Sequence, residues 1–143
     1  MDRLIEERDF WLGTSGLDGA PHSSPVWLVE VGGVLYFFSE RTTIKARNLK
    51  LNPLVVLHPP GASLVTIVHG AVVDLGQPTD HPDVLSAFVT KYDMPGDIDF
   101  LPLDPAADQY VLYRVEPDRA FAWDLADYEA SQQRWYREAT EPA

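Results

Sequence analysis

Between Ser39 and Lys50 the chain gathers hydroxyls and cations in an order that suits holding an anion. Ser39 and Thr42-Thr43 come first, and Arg41, Lys45, Arg47 and Lys50 surround and follow them. A hydroxyl-rich turn leading into a helix start presents free backbone N–H groups and the positive end of the helix dipole, which together receive phosphate. The charge distribution sharpens the point. The sequence has 22 acidic and 11 basic residues, yet no acid lies between Glu40 and Asp74, and four of the basic residues do. Against a net charge of −11, this gap carries +4 and the remainder −15.

Such a group needs a scaffold. Val34 to Phe38 is an apolar run that reads as a strand leading into the turn. Thr42 or Thr43 is a fitting N-cap for a helix from Thr42 to Leu51, and Asn52-Pro53 ends it. Leu54 to Leu57 then reads as a buried strand. Upstream, Phe10 to Thr14 and His22 to Val31 read as strands joined through Leu17-Asp18-Gly19, and Gly32-Gly33 marks the next hairpin. Downstream, Leu64 to Leu75 is a long strand with a kink or bulge at Gly70. Val84, Leu85, Phe88 and Val89 recur at helical spacing over Pro82 to Tyr92, with Asp80 as cap. Gln109 to Val115 and Ala120 to Trp123 read as strands separated by a Pro117-Asp118 turn. Helices are expected over Asp2 to Asp9 and Asp127 to Glu138.

The sum is a mainly β fold of six antiparallel strands with helices inserted after the third and fifth, a small barrel rather than a doubly wound sheet. One domain is expected over residues 1–143: an N-terminal helix over 1–9, the barrel with its inserted helices over 10–124, and a helical tail over 125–143. A 45% hydrophobic content supports a packed core, so the 12 prolines mark loops rather than disorder. The acidity argues against nucleic-acid partners and anionic membrane surfaces. With no cysteine, disulfides, thiolate chemistry and Cys-ligated metal are excluded. The first ten residues carry acids where a signal peptide needs a basic segment and an apolar core, and no apolar run reaches membrane-spanning length; a cytoplasmic location is expected.

Other residues capable of chemistry organise less well. His22, His58, His69 and His81 fall in separate elements without the i, i+3 or i, i+4 spacing of a helical metal site. Asp93, Asp97, Asp99, Asp104 and Asp108 do not follow the EF-hand pattern. Ser15, Ser23 and Ser24 have no recognisable triad partners. No metal and no side-chain acid or base is nominated.

The sequence resembles the split-barrel flavoproteins typified by pyridoxamine 5'-phosphate oxidase, and most of all the actinobacterial branch that uses the deazaflavin coenzyme F-420. The resemblance rests on Pro21-x-x-x-Pro25-Val26-Trp27, Leu35-Tyr36-Phe37, Thr43-x-Lys45-Ala46-Arg47-Asn48-Leu49 and Asn52-Pro53. Weaker likenesses are Val68-x-Gly70-x-Val72 and Ala87-Phe88-x-x-Lys91-Tyr92. It implies a homodimeric FMN-binding-type split barrel with a cofactor at the subunit interface. Ser39, Thr42, Thr43 and Lys45 are then phosphate contacts, Arg41 and Arg47 neighbouring charge, and Asn48 a further donor. Pro25, Val26 and Trp27 face the ring. The chain departs from the oxidase at Ser24 and Val29, where the family has Arg and Lys, at Ile44, where it has Arg, and at Val65, where it has Gln. The oxidase's basic C-terminal signature is missing from Ala122 to Ala143. Pyridoxamine 5'-phosphate is therefore rejected as substrate. The resemblance implies an oxidoreductase moving a hydride between F-420 and a small organic substrate. The alternatives are FMN on the same barrel, or a non-enzymatic flavin- or tetrapyrrole-binding protein.

Overall fold

Along Phe10–Ser15 the side chains of Phe10, Leu12 and Thr14 are buried, while Trp11 between them is 39% exposed. This period of two recurs through the sheet and gives it one dry face. The computed structural model describes residues 6–138. Its strands are β1 (Phe10–Ser15), β2 (Pro21–Val26), β3 (Leu28–Val31), β4 (Val34–Glu40), β5 (Leu54–His58), β6 (Leu64–Asp74), β7 (Tyr110–Asp124) and β8 (Gln133–Tyr136). The helices are α1 (Ile44–Leu51), α2 (Pro82–Lys91) and α3 (Tyr128–Ser131), and short 3-10 turns occupy Pro78–Asp80, Asp97–Phe100 and Leu125–Asp127.

All pairings are antiparallel, in the order β2-β1-β5-β6-β7-β4-β3, with β8 added to β7. The long strand β7 pairs with β4 through its first half and with β8 through its second, while β6 runs along its other edge. Inside the curl, Phe10, Leu12, Leu28, Phe37, Leu57, Val68, Tyr113 and Val115 form the main core. Phe37 and Tyr113 stack with centroids 5.0 Å apart, and burial pushes the Tyr113 phenol up to about 12. On the other side of β3 and β7, α2 contributes Val84 and Phe88 to a second cluster with Val29, Tyr92, Leu101 and Leu112.

The strand count is eight rather than six. The expected strand His22 to Val31 breaks at Trp27. Val26 pairs with Phe10 of β1, whereas Leu28 pairs with Phe37 of β4, so the chain changes partner across one residue. The freed edge at Leu28 is met by α2. The Leu28 N–H donates to the Tyr92 hydroxyl at 2.8 Å, and the Leu28 carbonyl accepts from Lys91 Nζ at 2.6 Å. Burial lowers the Lys91 ammonium to about 8, against the pull of Glu7. Three further expectations are corrected. Pro117-Asp118 is not a turn but a bulge within a continuous β7: Gly70 faces Pro117 and His69 faces Arg119, leaving Asp118 as the extra residue. The helical tail is a single turn, α3, followed by β8 on the edge of β7. α2 is capped by His81 without a side-chain bond, not by Asp80. The expected N-terminal helix lies largely outside the described residues, as does the end of the tail.

Gly70 is required by that bulge. A Cβ there would lie 2.3 Å from the Glu116 carbonyl oxygen and 2.9 Å from the Pro117 Cα, both backbone atoms that cannot swing away. Gly70→Ala should cost about 2–3 kcal/mol in urea denaturation. Gly61→Ala, with nothing within 4 Å of the added methyl, should stay near wild type; equal stability of the two variants would remove the bulge as a constraint.

Candidate functional site

The β4–α1 corner builds one end of the site. Thr43 caps α1, its Oγ1 accepting from the Ala46 N–H at 3.3 Å and donating to the Glu40 carbonyl at 2.9 Å. Ser39, buried at the end of β4, places its Oγ 2.8 Å from Thr43 Oγ1. The first turn of α1 carries no acid. Lys45 follows in that turn, and burial holds its ammonium below the usual lysine range, with Glu40 pulling the other way. A partly desolvated cation at a helix start binds an anion more strongly than one in open water.

These groups line a cleft of about 450 Å³ shared with Pro25, Val26 and Trp27 at the point where β2 gives way to β3. The remaining wall is aromatic and acidic: Phe38, Phe100 and Tyr110, with Asp9 and Glu40. Trp27 lies parallel to Tyr92 at 4.3 Å between centroids and meets Phe38 and Phe100 edge-on at 6.5 Å each. The Arg8 guanidinium sits 5.2 Å from the Trp27 ring centroid and pairs with the buried carboxylate of Asp97. That hydrogen bond from Arg8 lowers the Asp97 carboxyl, and Asp97 also accepts from the Met94 N–H at 2.9 Å, which fixes the turn bearing Phe100. The cleft is thus shaped for a flat ring against aromatic edges, with an anionic end toward Lys45.

The structure brings Pro25, Val26, Trp27, Ser39, Thr43 and Lys45 together, and directs the other expected residues elsewhere. Arg41 gives Nε and Nη2 to Asp108 Oδ1 at 3.0 and 2.7 Å, and its backbone N–H donates to the Gln109 carbonyl. Thr42 and Arg47 are exposed and do not line the cleft. Asn48 turns its amide to Thr14 Oγ1 at 3.1 Å, tying α1 to β1. Sequence reasoning missed Asp9, Glu40, Phe38, Phe100 and Tyr110 as wall residues. Only Phe38 and Glu40 were within reach, by adjacency to Ser39; Phe100 sits in an Asp- and Pro-rich loop with no periodic signal.

A separate groove of about 650 Å³ on the outward face is lined by His22, His58 and His69. Burial and the nearby Arg119 lower the His69 imidazole. Among the described residues no group of three or more His, Cys, Asp or Glu side chains is placed to hold a metal ion. No helix among them is long and apolar enough to cross a membrane.

The cap makes the β4–α1 corner testable. Thr43→Ala should lose about 1 kcal/mol of stability by chemical denaturation, and Thr43→Ser should recover most of it. Equal loss in both variants would show that the methyl packing, not the hydroxyl, matters.

Comparison with known proteins agrees with this fold. Residues 1–124 match the family model described as pyridoxamine 5'-phosphate oxidase. Among curated proteins none matches the sequence. A conserved hypothetical protein from Mycobacterium tuberculosis superposes with a TM-score of 0.72 at 18% identity, covering 99% of this chain and 89% of the other. A structure named as an F-420 reductase gives 0.64 at 27% identity over 83% of this chain and 94% of that one. A pyridoxamine 5'-phosphate oxidase-related, FMN-binding protein from Nostoc punctiforme gives 0.64 at 16% identity over 96% and 84%.

Proposed function

This chain belongs to the pyridoxamine 5'-phosphate oxidase family, and on that premise we propose that it binds a flavin-type cofactor in the Trp27–Lys45 cleft and serves as an oxidoreductase. The observation that carries the reading is the meeting, in one cleft, of the α1 start with the Pro25–Trp27 segment. Lys45, Thr43 and Ser39 would hold the phosphate end, and Pro25, Val26 and Trp27 would face the ring.

The hydride chemistry belongs to the cofactor once bound; the chain orients the ring, excludes water with its aromatic wall and fixes the phosphate. F-420 is favoured over FMN by the 27% identity to a protein named as an F-420 reductase. Ser24 and Val29, standing where the oxidase has Arg and Lys, also leave FMN fewer partners. Arg41 and Arg47 act here as background charge, since one is paired with Asp108 and the other faces solvent.

Titration of purified protein with F-420 and with FMN, followed by cofactor fluorescence, tests the reading. Saturable binding of F-420 is expected, weakened about tenfold or more by Lys45→Ala. Binding of neither cofactor overturns the proposal, and binding indifferent to Lys45→Ala moves the site elsewhere. A bound, reduced cofactor that no acceptor in a broad panel reoxidises would make this a sequestering protein instead.

A second copy of the chain is proposed to complete the cleft. The outward face of β1 and β5 leaves Trp11 and Leu54 39% and 58% exposed, an apolar surface that favours a partner. Sedimentation should give twice the chain mass, and Trp11→Lys should give the monomer with weakened cofactor binding. A monomeric wild type would withdraw the interface.

A further inference from the structure

The anion end of the Trp27–Lys45 cleft carries one cation where the sequence gathers four. Lys45 is the only basic residue among those that line the cleft. Arg41 gives its guanidinium to Asp108, and Arg47 and Lys50 are exposed on α1 away from the lining. The hydroxyls add little to the pull on an anion. Thr43 Oγ1 and Ser39 Oγ lie 2.9 and 3.1 Å from the Glu40 carbonyl oxygen and 2.8 Å from each other. A hydroxyl has one proton to give, so each already has an acceptor inside the corner. What remains for an anion is the Lys45 ammonium, with the N–H groups of the first turn of α1 that have no intrahelical acceptor.

A carboxylate stands at the same place. Glu40 lines the cleft with Ser39, Thr43 and Lys45, and its side chain has no ion pair among the described residues. Its charge reaches two other wall residues: it opposes the effect of burial on the Lys45 ammonium and, after burial, helps to raise the Tyr110 phenol. Asp9 adds a second carboxylate to the lining. One negative charge on a ligand is matched by Lys45. A second charge on the same phosphate would find no further cation and would face Glu40. We propose that the anion end of this cleft selects a singly charged phosphodiester over a doubly charged terminal phosphate, with Glu40 as the specificity-determining residue. The inference rests on the cofactor reading of the cleft and names the phosphate class which that reading leaves open. A diester keeps one charge through the neutral range, whereas a terminal phosphate carries nearly two above its second pKa of about 6.

The test is fluorescence titration of the full chain with two matched pairs: FMN against the monomethyl ester of its phosphate, and the same pair on the deazaflavin ring. Within a pair only the phosphate differs, so the ratio of affinities reports the phosphate alone. At about pH 8 the ester should bind about tenfold more tightly than the terminal phosphate, the effect of one charge coupled by about one pK unit. At about pH 5.5, where the terminal phosphate has taken up a proton, the two should agree within about twofold. Glu40→Gln changes an exposed side chain and keeps the backbone carbonyl that holds Ser39 and Thr43. It should strengthen the terminal phosphate more than the ester and narrow the gap at the higher pH to about threefold or less. A terminal phosphate that binds as tightly as its ester at the higher pH overturns the inference and leaves the cofactor reading standing. So does a gap that persists at the lower pH, which would reflect the shape of the ester, or one that Glu40→Gln leaves unaltered. Failure of all four compounds to bind overturns the cofactor reading, and the inference with it.

Discussion

The Leu28 N–H has to be satisfied by something other than a strand. The chain leaves β1 at Val26 and joins β4 at Leu28, so the sheet has a seam at Trp27. A buried backbone donor left without a partner there would cost about 1–3 kcal/mol. Tyr92 supplies the acceptor from a helix that begins more than fifty residues later, and passes its own proton to the Arg8 carbonyl at 2.8 Å. Burial raises the Tyr92 phenol well above its ordinary range, so the group stays a neutral hydroxyl able to accept and donate at once. The same ring stacks on Trp27. The seam that splits the barrel and the wall of the candidate cleft are therefore one construction, and the seam holds because α2 packs where it does.

Charge follows a similar logic of placement over count. Four basic residues in an acid-free stretch read as one island, but α1 spreads three of them around its circumference. Lys45 and Arg47, two residues apart, point to different sides of the helix. Lys45 enters the cleft, and Arg47 and Lys50 face solvent. Arg41 precedes the helix and is claimed by Asp108 from the acidic loop. A single half-buried ammonium remains at the helix start, with Asp9 and Glu40 on the same cleft wall. The local field is weaker than the sequence suggests and more selective in where it acts.

What could be read from sequence was what local chemistry determines. Thr43 and Asn52 bound α1 much as their capping chemistry requires. Gly32 and Gly33, with φ of 60° and 83°, make the β3–β4 hairpin that their lack of a side chain permits. Gly70 marks a real irregularity. Apart from the α2 cap, one residue away at His81, the failures involve a partner distant in sequence. The break at Trp27 is invisible without Tyr92, because Val26 to Val29 is continuously apolar and β-prone. Pro117 looks like a turn residue until Gly70 is placed across from it. Ser131 to Glu138 has a composition that suits a helix as well as a strand, and only the edge that the second half of β7 leaves open beside β6 decides. In the cleft, the residues adjacent to the hydroxyl and lysine cluster were legible, whereas Phe100 and Tyr110 arrive from the far side of the fold.

β7 binds β4, β6 and β8, and it is the seventh of eight strands. During synthesis the first hundred residues leave the ribosome with β4 and β6 lacking the strand that joins them. Hairpins such as β3–β4 and the α1 corner can form early, but the sheet cannot close until residues 110–124 emerge. Ladders of such long sequence separation form slowly. Until then β4 and β6 present open edges, the feature that invites pairing with another nascent chain. Expression yield should therefore respond to translation speed over this strand, and to chaperone supply, more than the stability of the finished fold would suggest.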